Sequence, residues 1–118
     1  MKKILAAAII LFTSLMAFSS VSEAASVSPS NQVIRGSTAT ASWGFSWNQS
    51  GANSVSYNPG DGSGSKLKDS NNTSGYSRIN HSYVNHNSYI KYTASFRAVQ
   101  KSTGTAEVAY ATVEKRLP

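Results

Sequence analysis

Val55-Ser-Tyr-Asn-Pro-Gly-Asp-Gly-Ser63 and His81-Ser-Tyr-Val-Asn-His-Asn-Ser-Tyr89 decide what this chain folds into. The first stretch reads as a short strand, apolar at Val55 and Tyr57, that runs into a turn. Pro59 fixes φ, Gly60 and Gly62 supply positive φ, and the Asp61 carboxylate can fold back onto nearby backbone N–H groups. The second stretch is a turn between aromatics. It leads into Tyr89–Val99, the longest strand-like run in the chain.

Working outward, Ser37–Trp47 alternates with period two. Ala39, Ala41, Trp43, Phe45 and Trp47 fall on one side and Thr38, Thr40, Ser42 and Ser46 on the other, the pattern of a half-buried strand. Ser54–Asn58 is the next strand after a turn cluster at Asn48–Asn53. Gly62–Asn80 reads as a long Gly-, Ser- and Asn-rich loop pinned by Leu67 and Ile79, with room for a short strand at Ser65–Lys68. Tyr89–Val99 pairs through a Lys101–Gly104 turn with Thr105–Val113, and Glu114–Pro118 is a charged tail. Toward the N-terminus, Ala25–Asn31 is a polar leader or edge strand, and Val33-Ile34 starts the ordered pairing. No helix fits this pattern. Strands separated by turn signals predict an all-β fold, a single antiparallel β-sandwich.

The first 24 residues read differently. Met1-Lys-Lys is a basic start, Ile4–Phe18 is an apolar run of signal-peptide length, and Ser22-Glu-Ala24 offers small residues for cleavage after Ala24. The domain expected after processing is 25–118, secreted and free of the membrane. The chain has no cysteine, so neither a disulfide framework nor a lipoprotein attachment site is available, which fits a secreted bacterial protein. Eleven basic and five acidic residues give a formal charge of +6; without Lys2, Lys3 and Glu23 nine and four remain, net +5. Aliphatic residues are sparse, so the core has to be built around Trp43, Trp47 and the tyrosines, each able to bury about 150–250 Å².

Gly60-Asp61-Gly62-Ser63, followed by His81, Tyr83 and Tyr89, resembles the polycystic-kidney-disease (PKD) type of immunoglobulin-like domain. That family carries Gly-Asp-Gly-Ser after a strand and later His-x-Tyr, a small turn, Tyr and an alternating strand. The resemblance covers roughly the mature domain. It implies an immunoglobulin-like sandwich and a structural His81, with contacts to proteins or carbohydrates as the usual role. It also implies that a calcium ion is a conceivable guest. The match departs from the family after Tyr89: the apolar set Ile90, Tyr92, Ala94, Phe96 and Ala98 is one residue out of phase with it. A β-bulge near Tyr89–Ile90 would bring the two into line.

Chemistry-bearing residues are few. His81, His86, Asp61 and Asp69 can be drawn as a metal site, but they match no zinc spacing and lack cysteine. Asp61 and Asp69 are the two loop carboxylates available to calcium, and a turn-stabilising role for Asp61 accounts for it more simply. The mature chain holds four acids, Asp61, Asp69, Glu107 and Glu114, and contains neither Gly-x-Ser-x-Gly nor His-Glu-x-x-His, so no catalytic set is assembled and no cofactor is called for. The basic residues are scattered through the sequence, with no stripe interleaved with aromatics of the kind that marks nucleic-acid readers.

A basic secreted protein is nonetheless drawn to anionic polymers. Lys91 and Arg97 share the polar side of the Tyr89–Val99 strand, and Lys66 and Lys68 stand in the long loop. Tyr76 and Trp47 sit in or beside loops where they can stack on sugar rings; Trp47 fits equally well as the residue that closes one end of the core. The function expected is non-catalytic binding of a cell-wall or extracellular polysaccharide, another anionic polymer, or an extracellular protein. The alternative is a cationic effector, a bacteriocin-like toxin or inhibitor.

Overall fold

The computed structural model describes residues 21–22 and 25–118, so the apolar run and the cleavage expected after Ala24 lie outside the described residues. Among the described residues there are nine strands and no helix. They are β1 (Val21–Ser22), β2 (Ser26–Ser28), β3 (Asn31–Arg35), β4 (Thr38–Ser46), β5 (Asn53–Asn58), β6 (Lys66–Asn72), β7 (Tyr76–Val84), β8 (Tyr89–Gln100) and β9 (Ala106–Arg116). Two sheets result. The larger has the order β1-β9-β8-β5-β6, with β3 also on the outer side of β9, and the smaller has the order β2-β4-β7.

The period-two pattern of β4 does what its residues demand. Ala41, Trp43, Phe45 and, just beyond the strand, Trp47 are buried against the inner face of the larger sheet. There the facing residues of β8 and β9 are mostly small: Ala94, Ala98, Ala109 and Ala111. Bulky rings on one sheet meeting alanines on the other is how two short-aliphatic strands reach interior packing density. Phe96 interrupts the alanines and ties the layers together, its ring 5.1 Å from Trp43 and 5.7 Å from Phe45, with Trp43 meeting Phe96 edge-on.

Several expectations need correcting. The segment 62–80 is mostly strand: β6 begins inside the short strand allowed for at 65–68 but runs on to Asn72, and after a short turn at Gly75 comes the first half of β7. Its serines and asparagines hid the strands because β6 is an edge strand with little to bury. The tail is also strand, since β9 runs on to Arg116 and Lys115 is completely buried. No bulge occurs at Tyr89–Ile90. β8 and β9 pair without interruption from Tyr89↔Arg116 to Val99↔Ala106, so Tyr89 faces outward. Finally, the larger sheet is not wholly antiparallel. The chain crosses from β2 in the small sheet to β3 in the large one at Pro29-Ser30 without reversing, and β3 therefore runs parallel to β9.

Candidate functional site

The Asp61–His81 pair is the most chemical-looking contact in the domain. The turn after β5 is held tightly. Asn58 Oδ1 accepts from the Gly60 N–H at 2.9 Å, and Asp61 Oδ1 accepts from Ser63 N at 3.0 Å and from Ser63 Oγ at 2.5 Å. Asp61 Oδ2 meets His81 Nε2, on β7, at 2.7 Å. Burial would raise the Asp61 pKa, but the Ser63 and His81 hydrogen bonds and the His81 charge outweigh it and hold the carboxyl down at about 2. Two residues along, the Tyr83 hydroxyl donates to Pro59 O at 2.8 Å, and burial, helped by the Asp61 charge, pushes this phenol well above its usual range. Gly60 is irreplaceable for a steric reason: at φ +82°, a Cβ there would stand 2.1 Å from the Thr93 carbonyl oxygen. This cluster is a clamp between the two sheets. Its acceptors and donors are turned on one another.

Asp69, the other calcium candidate, is spent in the same way. Its Oδ2 accepts from Asn72 Nδ2 at 2.9 Å and from Ser77 Oγ at 3.2 Å. The Asn72 amide lowers its pKa against the effect of burial, with Lys68 and Ser77 assisting. The two carboxylates reach β7 at His81 and Ser77, four residues or about 13 Å apart along a strand, and the structure does not bring them together. Among the described residues no group of three or more His, Cys, Asp and Glu could hold a metal ion.

Both remaining acids are engaged too. Glu107 is buried at one end of β9 and accepts from Asn48 N at 3.0 Å and Gln49 N at 2.8 Å, pinning the loop after β4. Glu114 pairs with Arg116 at 3.0 Å. At the far end of β9, Lys115 Nζ donates to the carbonyls of Gly36 and Asn85. Sequence reasoning missed Glu107 and Lys115 as core residues, although a signal existed: both keep the inward parity of Ala109, Ala111 and Val113.

Exposed polar groups are gathered on the outer face of the larger sheet. Register places its residues in rows across the strands: Leu67–Ser56–Arg97–Val108, then Asn58–Ser95–Tyr110, Thr93–Thr112–Asn31, Lys91–Glu114–Val33 and Tyr89–Arg116–Arg35. Cations that are scattered in sequence are thereby gathered. Arg35, Lys91, Arg97 and Arg116 share this face with Glu114 as its one acid among those rows. Ser56, Asn58, Ser95, Arg97, Val108 and Tyr110 line a shallow groove of about 260 Å³. Tyr110 is 65 % exposed beside it, and the Arg116 guanidinium lies 4.8 Å above the Tyr89 ring. Tyr110 was legible as an aromatic at a solvent-facing position of an alternating strand.

The other expected binding residues fall elsewhere. Lys66 pairs with Tyr57, on the side of β6 opposite to Leu67, and Lys68 is the extra residue of a bulge with its ammonium 4.0 Å from Asp69. Tyr76 stands on the outer face of the small sheet, its hydroxyl packed over Gly44, 2.7 Å from where a Cβ would stand. Trp47 is 5 % exposed with its ring against Phe45, 5.3 Å away, so it closes the core and offers no face to a sugar.

Compared with known proteins, the chain matches no family model, no curated protein and no solved structure.

Proposed function

We propose that this chain is a small secreted, non-catalytic binding protein built as an immunoglobulin-like sandwich of the PKD type. Its ligand is an anionic cell-wall or extracellular polymer held on the outer face of the larger sheet. The observation that carries the reading is the groove where Arg97 and Tyr110 stand side by side among Ser56, Asn58 and Ser95. A guanidinium offers a fork of donors to a carboxylate or phosphate, a phenol ring offers a surface for a sugar, and hydroxyl and amide groups take the remaining hydrogen bonds. Lys91, Arg116 and Arg35 extend the positive field along the face, in the direction a linear polymer would follow.

Two further observations support the fold in this reading. The strand orders β2-β4-β7 and β3-β9-β8-β5-β6 suit an immunoglobulin-like arrangement, and of the residues behind the PKD resemblance Asp61, His81 and Tyr83 meet in the Asp61–His81 and Tyr83–Pro59 contacts, while Tyr89 stands apart on the outer face. The four acids among the described residues are each engaged by internal donors or a paired arginine, which suits a role in holding the fold together. Among the described residues no helix is long and apolar enough to cross a membrane.

A pull-down on purified cell walls, with and without their anionic polymers and at low and high salt, tests the reading. Retention should fall steeply with salt, because exposed charges are screened within about 8 Å at physiological ionic strength. Replacing Lys91 and Arg97 together by Gln should weaken retention several-fold. Retention that ignores both salt and the double substitution would sink the proposal. Killing of neighbouring cells at low concentration would favour a cationic effector instead.

A further inference from the structure

The five strands at the sheet margins are guarded very unequally, and β1 has only two residues. β2 is three residues long and ends at Pro29, and β3 has five residues. β6 carries two register shifts against β5 and the lysines Lys66 and Lys68. Bulges, lysines, prolines and shortness are the devices that keep sheet edges from pairing with other chains. β7 has none of them. It is nine residues long, pairs with β4 in perfect register from Thr38↔Val84 to Ser46↔Tyr76, and among the described residues no strand pairs with its other side.

The hydrogen bonds Trp47 N–H to Gly75 O and Asn85 N–H to Ser37 O show which positions of this ladder bond to β4: the odd-numbered ones on β7. Arg78, Asn80, Ser82 and Val84 therefore turn their N–H and C=O groups away from β4, toward the open edge. Tyr76 confirms the parity. Its carbonyl faces the same way and is taken by Asn72 Nδ2 at 3.0 Å and Ser74 Oγ at 2.9 Å.

We propose that the open edge of β7 is a strand-addition site for a second copy of this chain, the two β7 strands pairing antiparallel about Asn80. The strand is self-complementary in that register. Tyr76 and Val84, exposed at 47 % and 63 %, lie four residues on either side of Asn80 and mark the ends of the seam, whose backbone pairing spans Arg78 to Ser82 because the Tyr76 carbonyl is already taken by Asn72 and Ser74. Arg78, the one Lys or Arg on the strand, would face Ser82 of the second copy, and Asn80 would face Asn80. No like charges meet across the seam. The outer face of β4 and β7 is already a ladder of short polar pairs, Thr40–Ser82 at 2.9 Å and Ser42–Asn80 at 2.5 Å. Pairing about Asn80 would continue that ladder into a six-stranded sheet with isologous symmetry. The groove at Arg97 lies on the other sheet, so this site is independent of the polymer-binding face.

The test is sedimentation velocity over a range of concentrations on the chain as its producing cell yields it, combined with amide exchange. The expected result is a reversible dimer whose formation slows exchange at Arg78, Asn80 and Ser82. Ser82→Lys should weaken the dimer about tenfold or more, because it sets Lys against Arg78 twice across the seam. Adding Arg78→Glu to Ser82→Lys should restore it, an outcome specific to this register and not expected from general loss of structure. A chain that stays monomeric at every concentration overturns the proposal. So does a dimer indifferent to Ser82→Lys, or one broken instead by the Lys91→Gln and Arg97→Gln pair.

Discussion

The turn clamp and the outer face of the larger sheet are opposites in how they use polar groups. At the clamp, Asp61, Ser63, His81, Tyr83 and the Pro59 carbonyl are matched to one another, and Gly60 is pressed against the backbone of β8. On the outer face, Arg97, Tyr110, Ser95 and Asn58 look ordinary in sequence but open into a groove. An Asp next to a His attracts a catalytic or metal reading. Here the pair joins the turn after β5 to β7 and so helps hold the two sheets together. The contrast separates residues whose loss should cost stability from residues whose loss should cost binding.

Tyr83→Ala should do most to test that separation. It removes a buried ring stacked 4.5 Å from Tyr92, together with the hydrogen bond to Pro59, and should destabilise by about 3–5 kcal/mol in a urea melt. A melt that overlays the wild type would break the comparison, since the clamp would then not be structural. Gly60→Ala comes next. With φ positive and the Thr93 carbonyl in the way, the turn has to move, at about 2–3 kcal/mol by the same measurement.

Asp61→Asn sharpens the comparison through pH. A carboxylate whose folded pKa is about 2, against an ordinary 3.8, stabilises the fold fully above pH 4. That contribution is lost as pH falls from about 4 through about 2, because the unfolded chain takes up the proton first. The substitution should cost about 1–2 kcal/mol at neutral pH, and the gap between variant and wild type should close across that window. An unchanged gap at pH 2 would mean that the Asp61–His81 contact contributes no charge term.

The smallest expected effect on stability falls on the opposite region. Lys91→Gln with Arg97→Gln should shift the melt by less than about 0.5 kcal/mol while reducing polymer retention. A large loss of stability would put these residues with the clamp and erase the distinction.

Much of this architecture was legible in sequence. Period two placed β4, β5, β8 and most of β9, because each buries one face against a core and alternation records that directly. The Gly60–Ser63 turn was legible from its glycines and proline, since local backbone geometry depends on local residues. Only the beginning of β6, at 66–68, was legible and the start of β7 was not, because an edge strand and a polar outer face place few apolar demands on their residues. For the same reason β9 was cut short at Val113: a buried lysine does not announce itself until carbonyls from Gly36 and Asn85 are brought to it.

The candidate site divides along the same line. Sequence alone assigned Lys91 and Arg97 to one face of one strand, because parity within a strand is a local property. It could not place Arg35, Arg116 or Tyr110 beside them, nor set Lys66, Lys68 and Trp47 apart from that face, because neighbourhood across strands is fixed by register. Register is set where the whole sandwich buries its rings: Trp43, Phe45 and Phe96 fit between the sheets in one alignment, and a slip of one residue would turn them out into water. The sequence thus determined the strands that bury a periodic apolar face, the key turn and the excess of positive charge. Tertiary packing alone decided which cations share a face, which carboxylates are spent, and which strand edge is left open.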